Sequence, residues 1–473
     1  MKSALLLLIP LLGVAFIPGL SPARSQMNAG EAMFHADAKH SGVYPSGEYG
    51  SFGALHWKFR TGGKIFSSPA ICDGIAFVGS EDKKLYAIDT KTGRLKWKFS
   101  TGGAVFSSPA VYNHIVYFGS YDGFYYAVDV HSGRLVWKFG TEGEKKVGAK
   151  GLWTMKPADQ YMEDLYDFFL SSPVIDKQGS VPTVYFGSSD GHLYALNAAD
   201  GKLQWKFATG GIIHTSPALG NGKIYIGSWD TYFYAIDSHT GHEIWKFKTG
   251  EQPVYHVLEG IQSSAAVDPG APDNAAGRES KAQADGTVYF GARDGNFYAL
   301  DGTTGLLKWK YPADNSWVLT TPAIKDGVVY IGTSDTYLFL ALDGETGKEK
   351  YRFQARGYVY SSPSLAGNTA YFGDFTGVFY AIDLESEGKL ADRFVTAVSK
   401  QNAGKILNKE GKLDFGYTAA NMDPALYSTN KTVMDRFYEM GSIVSTPAIA
   451  EGVIYFGSAD GYLYALSLAK KPQ

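Results

Sequence analysis

The sequence predicts an all-β fold, an eight-bladed β-propeller of four-stranded blades, closed by an N-terminal strand that completes the last blade. Three observations predict it. First, an aromatic-glycine block typified by YFGSYDGFYYAVD recurs eight times, starting at Phe77, Tyr117, Tyr185, Tyr225, Tyr289, Tyr330, Tyr371 and Tyr455. Second, each copy carries one small residue after its aromatic pair, at Ala87, Ala127, Ala195, Ala235, Ala299, Ala341, Ala381 and Ala465, and the shortest intervals are 40 residues. That period, with four strands per unit, marks a propeller. Third, a tryptophan follows the alanine at fixed spacing in Ala87–Trp97 and Ala127–Trp137, with related spacings at Ala195–Trp205, Ala235–Trp245 and Ala299–Trp309.

One copy shows how each element arises. In Ser107–Phe139, SSPAVY reads as the innermost strand and Tyr112-Asn113-His114 turns the chain. IVYFGS is the second strand, and Tyr121-Asp122-Gly123 is a hairpin in which glycine adopts positive φ without strain. FYYAVD is the third strand, His131-Ser132-Gly133 turns, and RLVWKF is the outermost strand. Apolar and polar positions alternate along these runs, which argues strand rather than helix. The tryptophan is a docking residue, and the alanine supplies room for its indole. Trp57, Trp97, Trp137, Trp205, Trp245 and Trp309 belong to this structural set. Tyr351 stands in for the sixth, and the seventh unit has only the diverged ADRF ending at Phe394. The eighth repeat lacks its own outer strand. The unpartnered HWKFRTGG at His56–Gly63 is expected to supply it, which removes exposed edges.

Residues 1–25 read as a secretory signal, with Lys2, an apolar stretch from Leu5 to Phe16 and the small-x-small site Ala23-Arg24-Ser25. Residues 26–53 form an N-terminal segment, and 54–473 form the propeller, interrupted at 140–170, 249–287 and 395–442. The expectation is an exported monomer, periplasmic or secreted, with no transmembrane segment after signal removal. Cys72 is the only cysteine, so an internal disulfide and a CxxCH haem site are both excluded. A net charge of -3 argues against a nucleic-acid partner. His35 and His40 lack a cysteine partner and predict no metal site.

These blocks resemble the PQQ-like (pyrroloquinoline-quinone-type) repeat with its tryptophan-docking motif, from about Ala54 to the C-terminus. The resemblance implies one of two functions. Quinoprotein dehydrogenases hold PQQ and calcium on the ring axis. BamB-type propellers are non-enzymatic and help assemble outer-membrane barrels. The sequence departs from both patterns. A single Cys72 cannot form the adjacent-cysteine disulfide of the larger alcohol dehydrogenases, and no lipidated cysteine follows the signal, so no lipid anchor is expected.

Strand order sorts the loops by face. The three insertions Gly140–Leu170, Thr249–Gln262 and Val395–Ser442 fall on the face that carries the Ser-x-Asp-Gly hairpins, here called the top. Asp122, Asp190, Asp294 and Asp460 read as turn formers there. The three tryptophans outside the docking set, Trp153, Trp229 and Trp317, are also on top, where indoles can stack on a flat ligand or pack the loops. The residues three before each inner-strand proline form a ring of Phe66, Phe106, Leu170, His214, Gln262, Leu319, Tyr360 and Val444. His214 and Gln262 break its apolar character. Trp229 and Arg293 occupy the hairpin tips of the same two blades, with Tyr255, His256 and Glu259 nearby and Lys64, Arg356 and Tyr358 further round. The ligand-binding candidates are therefore Lys64, His214, Trp229, Gln262, Arg293, Trp317, Arg356 and Tyr358. The arginines and Lys64 suit carboxylates, of a quinone or an acidic saccharide.

The motif set is complete for structure and incomplete for catalysis. The leading expectation is a non-catalytic binding or assembly module of the cell envelope, BamB-like, with an envelope protein or a polysaccharide as partner. One alternative is a PQQ-dependent dehydrogenase of alcohols or sugars, with Trp229 or Trp317 against the quinone and calcium beside it. Another is a polysaccharide-active enzyme with His214 as base, a tyrosine as acid and Arg293 holding a uronate.

Overall fold

A computed structural model describes residues 30–45, 47–179, 181–250, 259–268 and 286–470. The signal segment, Tyr255 and His256 lie outside them. The blades are Ala70–Ser100, Ala110–Gly140, Val174–Ala208, Ala218–Lys248, Ala266–Pro312, Ala323–Gln354, Ser364–Val395 and Ala448–Lys470. Each is an antiparallel sheet running from the axis outward. The eighth is completed by Tyr49–Arg60, which pairs with Tyr462–Lys470 and places Trp57 opposite Ala465. The ring is thus closed by joining the two ends of the chain in one blade.

Ala87 faces Trp97 across the third and fourth strands, and the same pairing recurs as Ala127–Trp137, Ala195–Trp205, Ala235–Trp245 and Ala299–Trp309. The indole also reaches the next blade. Trp57 Nε1 donates to Thr90 O at 2.8 Å, and Trp97 Nε1 donates to Val130 O at 2.8 Å. The turn glycine of that next blade lies against the ring. A Cβ on Gly93, at φ +67°, would come within 2.6 Å of Trp57. So the turn glycine of six blades lies against the preceding blade's tryptophan, a role beyond the alanine gap expected from spacing. Asp89 accepts from the Thr92 side chain and backbone, which holds its carboxyl below the usual range, and matching bonds do the same at Asp129 and Asp343. The seventh blade, which lacks the tryptophan, presents Asp392 opposite Ala381 instead. Asp392 accepts the Phe52 N–H of the closing strand at 3.0 Å.

The innermost strands are linked by the SSP motif. Ser68 N–H donates to Ser108 Oγ, Ser108 N–H to Ser172 Oγ, Ser172 N–H to Ser216 Oγ, and Ser216 N–H to Ser264 Oγ, at 2.8–3.0 Å. Thr446 N–H donates back to Ser68 Oγ at 2.9 Å, across the closure. Each such buried bond contributes about 1 kcal/mol net and costs more if one partner is lost.

The N-terminal segment runs across the bottom mouth. Its backbone carbonyls at Ala38, Lys39, Ser41 and Gly42 accept from Leu219, Val267, Ile324 and Leu365, the inner strands of four consecutive blades. Val43–Tyr44 then pairs in parallel with Ser364–Ala366. Gly42, at φ +70°, has no room for a Cβ, which would lie 2.7 Å from both Ala323 and the His35 ring. His35 and His40 are buried and face carbonyls: His35 Nδ1 meets His40 O at 2.9 Å, and His40 Nδ1 meets Ala265 O at 2.9 Å. Burial holds both below their ordinary value, His40 at about 3.

Among the described residues the expected all-β composition is modified in two insertions, by one 3-10 turn at Leu152–Thr154 and by α-helices. The 395–442 insertion, which has no clear periodicity in sequence, holds helices Ala397–Ile406, Phe415–Thr418 and Tyr427–Tyr438. Their buried face, with Ile406, Val433, Met434 and Phe437, packs on Tyr358, Tyr360 and Phe375 at the top of the ring. The helices form because packing on this aromatic platform stabilises short segments that are marginal alone.

Deleting residues 55–62 removes half of the closing strand, Trp57 included, and thermal unfolding by circular dichroism is expected to lose its single cooperative transition. An unchanged melting temperature would contradict closure. The buried histidines make stability depend on pH. His40 is neutral when folded, so its contribution is full above pH 6.5 and is lost as pH falls toward about 3. The slope is at most ~1.4 kcal/mol per pH unit. A His40→Gln variant should flatten the stability–pH profile over that window.

Candidate functional site

The top end of the axis is where the sequence-derived candidates converge. Arg293, at the hairpin tip of the fifth blade, is fully buried. Its guanidinium lies between two indoles, 4.5 Å from the Trp229 ring centre and 4.3 Å from that of Trp317. Nε and Nη2 donate to Gln262 Oε1 at 2.9 and 2.6 Å. Nη1 is ion-paired with Asp164, which is also fully buried. Gln262 Nε2 donates to Tyr166 O at 3.0 Å. A delocalised cation between two aromatic faces is favourable, and burial strengthens the contact.

His214 lies in the neighbouring sector. Its Nδ1 is 2.7 Å from Asp167 Oδ1, and its Nε2 is 2.8 Å from Ser189 Oγ. Ser189 Oγ and N–H also reach Glu144 Oε2, at 2.6 and 2.8 Å, and Ser188 Oγ donates to Glu144 Oε1 at 2.6 Å. Burial pushes the His214 imidazole down, but the charge and hydrogen bond of Asp167, with the charge of Glu144, outweigh it and leave the pKa raised. Burial raises Glu144, against the donors from Ser188 and Ser189. Ser189, His214 and Asp167 have the order of a nucleophile–base–acid relay. Here the serine hydroxyl is turned to an internal carboxylate, and all three residues are buried.

The three acids share one origin. Glu144, Asp164 and Asp167 all belong to the 140–170 insertion, which folds back over the ring. A tight turn presents the two aspartates to different sectors: Tyr166 N–H caps Asp164 Oδ1 at 2.9 Å, and Val147 N–H caps Asp167 Oδ2 at 2.6 Å. Phe168 follows and packs on Phe66 and Tyr360, at ring distances of 5.5 and 5.7 Å. The insertion is tied to the helical one, since Lys156 N–H donates to Ala425 O at 2.8 Å and Tyr427 OH to Glu163 O at 2.6 Å. Together the two insertions cover the axis.

Of the predicted site residues, Trp229, Gln262, Arg293 and Trp317 form one contact group, and the Asp164–Asp167 turn couples His214 to it. Tyr358 lies at the edge of the group, 6.1 Å ring to ring from Tyr166. Lys64 does not join. It pairs with Glu81 at 3.2 Å and lies over the Tyr438 ring. Arg356 Nε is committed to Gly411 O at 2.9 Å in the helical insertion. Trp153 packs the loop, 5.7 Å from Tyr166 and 6.3 Å from Trp317. Asp122, Asp190 and Asp294 do more than form turns. They accept N–H groups from Gly102, Glu142 and Gly250 of the adjoining links. Sequence reasoning misses Glu144, Asp164, Asp167 and Ser189. The available signal is the demand for countercharge: an inward arginine and histidine need acids, and the adjacent insertion is where acids stand.

A family model described as outer membrane protein assembly factor BamB matches residues 51–156, 148–271 and 261–471. The chain belongs to this family. Among solved structures it is similar to BamB from Moraxella catarrhalis, at 14% identity and a TM-score of 0.59, covering 88% of this chain and 99% of that one. It is also similar to a europium-containing methanol dehydrogenase, at 15% identity and a TM-score of 0.63, covering 93% and 98%. At such identities the likeness is one of fold. A stretch of 111 residues, 21% of the chain, is 34% identical to the serine/threonine-protein kinase AfsK of Streptomyces griseus. The chain spans about an eighth of the length of the curated relatives it matches.

The quinone implied by the repeat does not fit the residues present. Arg293 is held by Asp164, Gln262 and Tyr166 O, and both indoles lie on the guanidinium. Phe168 fills the neighbouring space, and the axial cavity beneath holds about 30 Å³, room for roughly one water. Among the described residues, no cluster of three or more His, Cys, Asp or Glu could hold a metal ion.

Replacing His214 with alanine strands Asp167 as a buried, unpaired carboxylate. The expected loss of stability is about 3 kcal/mol or more, read by chemical denaturation. A cost below about 1 kcal/mol would show that the pair is dispensable.

Proposed function

We propose that the protein is a non-catalytic binding or assembly module of the cell envelope, and that its partner docks on the top face. One observation carries this reading: the polar pocket on the axis is filled by carboxylates of the chain itself. Arg293 and His214 have their electrostatic needs met by Asp164 and Asp167, so neither is free to hold a substrate. The hydroxyl of Ser189 is likewise committed to Glu144. Membership of the family described as an outer-membrane assembly factor supports the same reading. The candidate surface is built from the 140–170 and 395–442 insertions, which are joined to each other and stand above the ring. No helix among the described residues is long and apolar enough to cross a membrane.

The test has two arms. Thermal unfolding with and without PQQ plus calcium should show no saturable shift. A ligand at 100 times its dissociation constant adds about 2.7 kcal/mol, so a true site would be visible. A saturable shift abolished in Trp229 and Trp317 variants would overturn the reading. Affinity capture from envelope extract should recover a partner with the intact protein and lose it when exposed positions of the helical insertion, such as Tyr417, are replaced.

A further inference from the structure

We infer that the axial pocket is a preformed carboxylate receptor and that Asp164 is its tethered occupant, so that a small external carboxylate binds wherever Asp164 is withdrawn. The receptor half is built outside the 140–170 insertion. Arg293 comes from the fifth blade's hairpin, Gln262 from the link before it, Trp229 from the fourth blade's hairpin and Trp317 from the link before the sixth. Two indole faces and the Gln262 carbonyl fix the plane of the guanidinium. Arg293 Nη1 is thereby aimed at one point, and the insertion supplies a carboxylate there. Trp229 Nε1 is a further buried donor without an acceptor among the described residues.

The ligand half comes from elsewhere in the chain. Asp164 is 129 residues before Arg293, on a turn capped by its own Tyr166 N–H and held to the ring through Tyr166 O, which accepts from Gln262. Its carboxylate therefore behaves as a ligand on a linker, and its advantage over a free acid is one of effective concentration. The occupant meets the receptor through one oxygen, at Nη1, because Nε and Nη2 are taken by Gln262 Oε1, so the carboxylate of Asp164 is itself the template for the class of ligand and chloride is the control. The inference does not rest on the function proposed above, since a partner docked on the top face would leave it unchanged.

Chemical rescue tests it. Asp164→Ala should melt well below the parent in sodium chloride, because Arg293 loses its partner. Sodium formate or acetate, titrated at matched ionic strength, should raise that melting temperature saturably, by about 3 °C or more. The parent protein should not respond, since Asp164 outcompetes the free acid. The double variant Asp164→Ala/Arg293→Met should not respond either, because the receptor is gone. If Asp164→Ala does not fold in chloride, its refolding yield in formate against chloride reads the same competition. Equal rescue by chloride would overturn the inference in favour of a general anion site. Absence of rescue by either carboxylate would overturn it outright, as would rescue that persists in the double variant.

Discussion

Six of the eight blades carry on their outermost strand an indole that is covered by the next blade. Trp57, Trp97, Trp137, Trp205, Trp245 and Trp309 lie on turn glycines that belong to their neighbours and donate to those neighbours' carbonyls. The serines of the SSP motif repeat the logic at the axis, where one blade's N–H is satisfied by the next blade's hydroxyl. No blade can therefore bury its aromatic and polar groups alone. The ring must close, and closure depends on an N-terminal strand some 400 residues away in sequence from the strand it joins.

A closed ring of this kind leaves an axis lined at its top by whatever side chains the inner loops carry. Most are apolar, and they are covered by Phe168 and by the helical insertion. The exceptions include His214, Gln262 and Arg293, of which the histidine and the arginine carry charge. A fully buried guanidinium without a partner would be prohibitively costly, and removing one member of a buried pair typically costs 3–5 kcal/mol. The insertion resolves this with Asp164 and Asp167, three residues apart on one turn. The same acids that tie the loop to the ring meet the charge of Arg293 and His214.

Part of the site is legible in the sequence. Trp229, Gln262, Arg293 and Trp317 can be brought together because repeat alignment assigns every residue to a blade and a height, and adjacent blades share a wall. The same logic places Lys64 and Arg356 on that face, but they turn to Glu81 and Gly411. Repeat register gives position around the ring, not the direction of a long flexible side chain. Glu144, Asp164 and Asp167 are out of reach because the insertion has no repeat register to read, and Ser189 is marked only by the acid it meets. The N-terminal segment is equally silent. Its His35 and His40 face carbonyls of residues hundreds of positions away, a contact no local pattern encodes.

The sequence by itself determined the blade count, the four-stranded unit, the docking tryptophans and the closing strand. These follow from local periodicity and from a motif that must recur in every blade for the ring to bury its own surface. Only the tertiary structure decided what occupies the axis. That outcome depends on long-range pairing between a non-repeating loop and a few inward polar residues. Their mutual electrostatic demand is invisible until the chain has closed around them.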